Sequence, residues 1–344
     1  MSYERGLWQM MPERIPKVVV IGGTYVDMAI RCQQLPTAGQ SVVGSALSYT
    51  ATGPGPNQAA QAALCGCEVH LVSKVGGDAF AQMAKKSLTD FDVNTDFVFT
   101  APAKNTGVVV TIVNATGDNA ICTYTGANSA LGPQDIQAAE QIISQADVCL
   151  IHGALPQDAI TTAIRCAQLH GRKVILNPAH PIESGSAQGR GKTCRGSELP
   201  AEYFSVDILI PNLYEAADIA EQESAHVRTA KLVGSELVAR GVRAAVITMG
   251  KRGCMVVDRD GADHIPAFEV ELIDQTGRGD AFAGALAAYY AVKNDIREAA
   301  KFASAAGALA CTKFGSVEAL PTKDEIIQLL QKEDIDLLRR SPET

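Results

Sequence analysis

Aromatic residues make up only 5% of the 344 residues, and no stretch of about 20 apolar residues occurs anywhere, so no membrane-spanning helix is expected. The opening segment MSYERGLWQMMPERIPK has no apolar core of signal-peptide length, and the expected location is the cytosol. Positive charge is also scarce. A net charge of −8 and a pI near 5.3 argue against nucleic acid or an anionic membrane surface as principal partner, while leaving room for a locally basic phosphate pocket. The nine cysteines form no CxxC pair and no evident Cys/His cluster at metal-ligand spacing. Cys65 and Cys67 lie two apart, and Cys149, Cys166, Cys254 and Cys311 sit in apolar stretches. Reduced thiols are expected, not a disulfide framework or a zinc site.

The 47% hydrophobic content is enough to bury a large core. Residues 1–16 read as a flexible tail and 17–335 as one α/β domain with a small appendage. Buried-type strands are expected at Lys17–Gly23, Val69–Val75, Val148–His152, Val174–Asn177, Ile208–Pro211, Ala245–Met249 and Cys254–Val257. Helices are expected at 78–88, 134–145, 158–170, 213–220, 229–240, 279–293, 296–311 and 324–332. That alternation is the pattern of a mostly parallel sheet flanked by helices. Two pieces lack a helix to cover them: about 28–52, where SVVGSALSYTA reads as two short strands, and about 105–127, where GVVVTIV and AICTYT flank a turn as a hairpin. The Gly/Ser-rich stretch 183–200, carrying Arg190, Lys192 and Arg195, reads as a mobile loop.

Chemistry concentrates in Asp274–Tyr290, DQTGRGDAFAGALAAYY. An apolar run, Phe268, Val270, Leu272 and Ile273, reads as a strand leading into Gly277 and Gly279, and an Ala-rich helix follows. Glycines let the backbone approach a ligand, and the free N–H groups of a first helical turn attract anions. A carboxylate at Asp280 beside such a hole suits a base that takes a proton from a hydroxyl attacking phosphorus. An ordinary glycine turn with Asp280 as a helix-start residue is the plainer alternative. Asp27, two residues past Tyr25 and shortly after Gly22–Gly23, falls at the carboxyl edge of a sheet, where open α/β folds bind ligands. Asn212 and Glu215 follow a strand with the spacing of a capping box.

The 274–282 stretch resembles the signature DTTGAGDxF of the ribokinase-like (PfkB) carbohydrate kinases, and the resemblance runs over about residues 17–330, nearest in pattern to the ribokinases. It implies a three-layer sandwich with a small β-sheet lid over the sugar site, and often a homodimer through that lid. It implies Asp280 as catalytic base, with the backbone of Gly277, Arg278 and Gly279 as anion hole. Two positions depart from the signature: Gln275 replaces threonine and Arg278 replaces a small residue. Arg278 would either face solvent or offer a charged fork to a phosphate or acidic substrate. Asp27 would hold sugar hydroxyls, and Gly53, Gly55 and Asn57 match the sugar-side GGKGAN-like segment, with Pro54 departing from it. Ala154 falls where ribokinases carry a sugar-binding glutamate, with His152 as the neighbouring candidate, and Tyr25 stands where they have asparagine.

On the nucleotide side the resemblance implies Asn212, Thr248, Gly250, Gly253 and Gly315 around ATP, and Glu215 ordering Mg²⁺ through water. Asp274 and the 313–316 loop would frame a monovalent cation such as K⁺. The expected activity is an ATP-dependent kinase acting on a hydroxyl of a small sugar, ribose or a related one. Alternatives are a nucleoside kinase with Tyr25 stacked on the base, a ketose or sugar-phosphate kinase with Arg278 on the acceptor's phosphate, and a non-catalytic binding protein on the same fold.

Overall fold

The computed structural model describes residues 14–179, 196–222 and 226–340. Most of the expected tail and loop, including Arg190, Lys192 and Arg195, lies outside them. The described edges of both are anchored. Arg14 donates to Asp147 at 2.9 Å, and Pro16 accepts from the Glu68 N–H at 2.9 Å. Gly196–Glu198 is a short 3₁₀ turn whose Ser197 N–H bonds the Glu221 carboxylate at 2.8 Å, so the expected mobility does not extend to 200.

The main sheet has ten strands. Along its path lie β14 (Gly261–Ile265), β13 (Cys254–Asp258), β12 (Ala244–Thr248), β11 (Ile208–Leu209), β10 (Lys173–Asn177), β9 (Val148–His152), β1 (Lys17–Ile21), β4 (Glu68–Gly76) and β5 (Val93–Asn94). A further strand, β6 (Val98–Ala101), pairs with β4. Every pairing is parallel except β12–β13 and β13–β14.

The continuous apolar runs follow from burial of both sheet faces. Val18 and Val20 of β1 join one core with Val148 and Leu150 of β9, while Val19 and Ile21 join the opposite core with Cys149 and Ile151. The first core is closed by α1 (Pro54–Leu64), α8 (Arg278–Lys293), α9 (Ile296–Ala310) and α10 (Lys323–Arg340). The second is closed by α3 (Pro133–Ala138), α4 (Glu140–Gln145), α5 (Gln157–Leu169), α6 (Leu213–Ile219) and α7 (Ala230–Ala239). The expected helix 134–145 is two pieces that break at Ala139.

The uncovered pieces form one four-stranded sheet, ordered β3 (Gly44–Thr52), β2 (Tyr25–Cys32), β7 (Gly107–Val113) and β8 (Asn119–Tyr124). The 41–51 segment holds a single strand, and its partner β2 begins at Tyr25, earlier than expected. Pairing register divides the sheet's faces: Asp27 shares one with Thr50 and Val109, whereas Met28 and Ile30 share the other with Tyr49, Leu47, Val110 and Ile112. A helix does reach this apolar face, since Phe80 of α2 (Ala79–Thr89) lies 6.1 Å ring to ring from Tyr49. Asp78 caps α2 and staples the small sheet to it, accepting from the Thr106 N–H at 2.7 Å and its hydroxyl at 2.6 Å.

The run from Phe268 to Ile273 is not a strand. Leu272 and Ile273 are largely exposed, and the Ile273 and Asp274 N–H groups both donate to the Cys311 carbonyl. Residues 266–277 instead arch over the end of α9 and enter α8.

Candidate active site

Parallel register brings the carboxyl ends of the central strands to one edge. Gly22–Gly23 follows β1, His152 ends β9 opposite Asn177 of β10, and Asn212, after β11, bridges to Thr248 at the end of β12. The α1 N-terminus docks at this edge because Gly22 and Gly55 lack side chains. A Cβ on Gly55 would stand 2.7 Å from the Gly22 carbonyl oxygen, and the Gly55 N–H bonds the Gly23 carbonyl at 3.1 Å. Gly53, at φ 116°, packs its backbone against Tyr25. Close backbone packing at this edge calls for glycine at both Gly53 and Gly55.

α8 starts as the residue pattern requires. Gly277 adopts φ 75° as its N-cap, and Arg278 and Gly279 supply the first-turn N–H groups. Asp280 sits half-buried in that turn and faces α1, where the Asn57 amide donates to one carboxylate oxygen at 2.8 Å and the Gln58 amide to the other at 3.0 Å. Burial raises the Asp280 pKa, and the bonds from Asn57 and Gln58 oppose that rise. Gln58, fully buried, escaped sequence reasoning. Its signal was a polar residue inside an Ala-rich apolar helix. Its amide oxygen has no partner among the described residues.

The residues expected to hold the acceptor, Tyr25 and Asp27, lie on β2. One Asp27 carboxylate oxygen accepts from the Thr111 hydroxyl at 2.9 Å, and the other has no protein partner among the described residues. Tyr25 is 6% exposed and flanked by the backbones of Gly23, Gly53 and Gly107, with burial pushing its hydroxyl up to about 12. It walls the site and offers no open face for stacking a base. Asn128, another residue the sequence did not reveal, clamps the preceding turn by bonding the Thr24 N–H and carbonyl, each at 2.8 Å. His152 is 7% exposed, and burial pushes its pKa down to about 4. Its Nδ1 accepts the Ala154 N–H at 3.1 Å, so the neutral ring carries its proton on Nε2.

Asn212 and Glu215 form the anticipated capping box on α6. Asn212 Oδ1 accepts from the Tyr214 and Glu215 N–H groups, each at 2.9 Å, and Glu215 Oε2 accepts the Asn212 N–H at 2.8 Å. Gly250 (φ 64°) and Gly253 (φ 81°) shape the turn from β12 to β13. Asp274 accepts from the Thr276 N–H and hydroxyl on one oxygen and from the Gly315 N–H on the other; burial works to raise its pKa, yet these bonds outweigh it and the net shift is downward. The carboxylate thereby brackets the 274–277 turn to the 313–316 loop, and Gly315 (φ 101°) serves that bracket.

Thiols behave as expected: the eight described cysteines are free of disulfides. The absence of a Cys/His cluster does not hold. Cys166 and His170, four residues apart at the end of α5, face Glu140, with their ligand atoms within 4.8 Å of one another. The His170–Glu140 pair at 2.8 Å accounts for that grouping.

A half-buried carboxylate in the first turn of α8, held by two side-chain amides of α1 where that helix docks at the sheet edge, is an arrangement that phosphoryl transfer to a small molecule could use. The chain matches the pfkB family carbohydrate kinases over residues 15–323. It is 30% identical over 317 residues to the deoxyribokinase of Salmonella typhi, covering 91% of this chain and 98% of that protein. It is 30% identical over 316 residues to the ribokinase of Bacillus subtilis, covering 91% and 99%. The ribokinase of Arabidopsis thaliana complexed with ribose and ATP superposes with a TM-score of 0.81 at 23% identity, covering 92% and 99%. The chain belongs to the pfkB family of carbohydrate kinases, enzymes whose phosphoryl acceptor is an alcohol group.

Proposed function

We propose that the protein transfers the γ-phosphoryl group of ATP to a hydroxyl of a pentose of the ribose or deoxyribose class. The observation that carries this reading is Asp280, set in the first turn of α8 and held by Asn57 and Gln58 from α1. Burial moves its pKa toward the working pH, where a general base is most effective. The acceptor hydroxyl gives its proton to Asp280 as its oxygen bonds the γ-phosphorus, and the bond to the β-phosphate oxygen breaks to release ADP. Amides of Gly277, Arg278 and Gly279 stabilise charge on the transferring group. Asp27 orients the acceptor through its unpartnered oxygen, with Tyr25, Gly53, Gly55, Asn57 and His152 as the wall. Thr248, Gly250, Gly253, Gly315 and Asn212 line the nucleotide side.

Glu215 offers the hard oxygen chemistry that Mg²⁺ takes, and it would hold the ion through water. Mg²⁺ would offset phosphate charge, and K⁺ is a further candidate served by carbonyls near Asp274. The small sheet, about residues 28–52 and 105–127, acts as a lid that excludes water. Its apolar outer face supports a homodimer. The covered ring of Tyr25 disfavours the nucleoside reading.

The test is an ADP-release screen with Mg-ATP and potassium against pentoses, ketohexoses, nucleosides and sugar phosphates. Turnover on a pentose, lowered roughly 10² to 10⁴-fold in Asp280→Asn, is the expected result. A variant turning over at the wild-type rate would remove Asp280 as base. Silence across the panel from protein that binds ATP would move the reading to a binding protein.

A further inference from the structure

The two departures from the family signature touch each other. Arg278 Nη1 donates to Gln275 Oε1 at 3.2 Å, three residues back across the turn that opens α8. The Arg278 stem lies against Gly307, where a Cβ would stand 3.5 Å from its Cγ. Its guanidinium then reaches over Gly250: a Cβ there would stand 3.7 and 3.8 Å from the two terminal nitrogens and meet nothing else within 4 Å. The side chain is half-buried and does not wave in solvent.

Its electrostatics are unfavourable as they stand. A cation in the first turn of a 16-residue helix opposes the helix dipole. Among the described residues no carboxylate pairs with Arg278, whereas Arg14, Arg165, Arg240, Arg243 and Arg297 each have one, Arg297 both Asp258 and Asp263. A neutral amide holds it in place. An anion lying between the α8 amides and the Gly250 turn would reverse the sign of both effects.

We propose that Arg278, oriented by Gln275, grips the polyphosphate chain of the nucleoside triphosphate, bridging the Gly250 turn and the α8 anion hole. This deepens the kinase reading above and rests on it for the identity of the nucleotide. A planar guanidinium fork matches phosphate oxygens in a way an ammonium does not. Gln275 is a positioning residue, since its amide oxygen fixes one face of the fork while leaving the other donors for phosphate.

Calorimetric binding of ATP, ADP and AMP to wild type, Arg278→Ala, Arg278→Lys, Gln275→Thr and Gln275→Glu tests this without requiring turnover. Arg278→Ala should weaken ATP binding about tenfold or more, weaken ADP less and leave AMP unchanged, with Arg278→Lys intermediate. Gln275→Thr should cost a few-fold and add nothing on top of Arg278→Ala, because the pair acts as a unit. Gln275→Glu should weaken ATP further, since the new carboxylate competes for the fork. Thermal melts identify any variant that fails to fold, in which case Arg278→Lys carries the comparison. Unchanged ATP affinity in folded Arg278→Ala overturns the proposal, as does a loss equal for AMP and ATP. So does a defect confined to a phosphorylated acceptor's KM. An Arg278-dependent ATP affinity in protein inactive on every acceptor would instead sink the pentose reading alone.

Discussion

Gln58 donates to Asp280 from a fully buried position while its own carbonyl oxygen goes unpartnered. Leucine there would remove both the donor and the unsatisfied acceptor at similar volume, so folding should survive. The kinetic consequence has a definite sign. Burial raises the Asp280 pKa, and the Gln58 bond pulls it down; without that bond the carboxylate protonates at higher pH. Because a general base works ionised, the acid limb of kcat/KM in Gln58→Leu should move to higher pH. Rates on the alkaline plateau should stay close to wild type. A pH profile whose acid limb stays put or moves to lower pH would show that Gln58 does not act on the base.

At the scale of elements, the small sheet carries two unlike faces. Asp27 and Thr111 look toward the site, whereas Leu47 is 52% exposed and Tyr49 47% exposed on the other face, with Phe80 covering only part of it. An apolar face this open is what a second copy of the chain would cover. Leu47→Glu should convert a dimer to monomer in light scattering coupled to gel filtration; a wild-type chain that elutes as monomer ends the proposal. The sheet also shows what was legible beforehand. Its hairpin at GVVVTIV and AICTYT was readable from alternation and a turn, and seven of the main sheet's ten strands from apolar runs that suit burial on both faces, whereas the short β5, β6 and β14 were not. The Phe268–Ile273 run misled because apolar content resembles a strand, whereas it pairs with no strand and its last N–H, that of Ile273, goes to the Cys311 carbonyl, 38 residues away in sequence. Gln58 and Asn128 were illegible for a related reason: a polar residue in an apolar segment declares its purpose only once its partner from another element is in place. The turn that opens α8, with Asp280 in its first turn, was legible because its glycines and the helix start are contiguous in sequence.

Across the whole molecule, the two carboxylates that would handle the acceptor belong to different bodies of the fold. Asp27 rides on β2 of the small sheet, and Asp280 on α8 of the main domain, with α1 touching both through Gly53 beside Tyr25 and Asn57 against Asp280. Occupancy by the acceptor would therefore tie the small sheet to the main one, and chemistry would be coupled to closure. Two hydroxyl bonds to the Asp27 carboxylate are together worth about 3 kcal/mol or more, and each 1.4 kcal/mol is a factor of ten in affinity. Asp27→Ala should accordingly raise the acceptor KM by roughly 10²-fold while the ATP KM stays level, because the residues proposed for the nucleotide lie on other elements. With closure weakened and Asp280 still able to take a proton from water, the ratio of ATP hydrolysed to sugar phosphorylated should rise above wild type. Measuring both products in one reaction separates the cases: a fall in turnover with unchanged acceptor KM and unchanged coupling would mean that Asp27 has no hold on the acceptor and that the small sheet closes by other contacts.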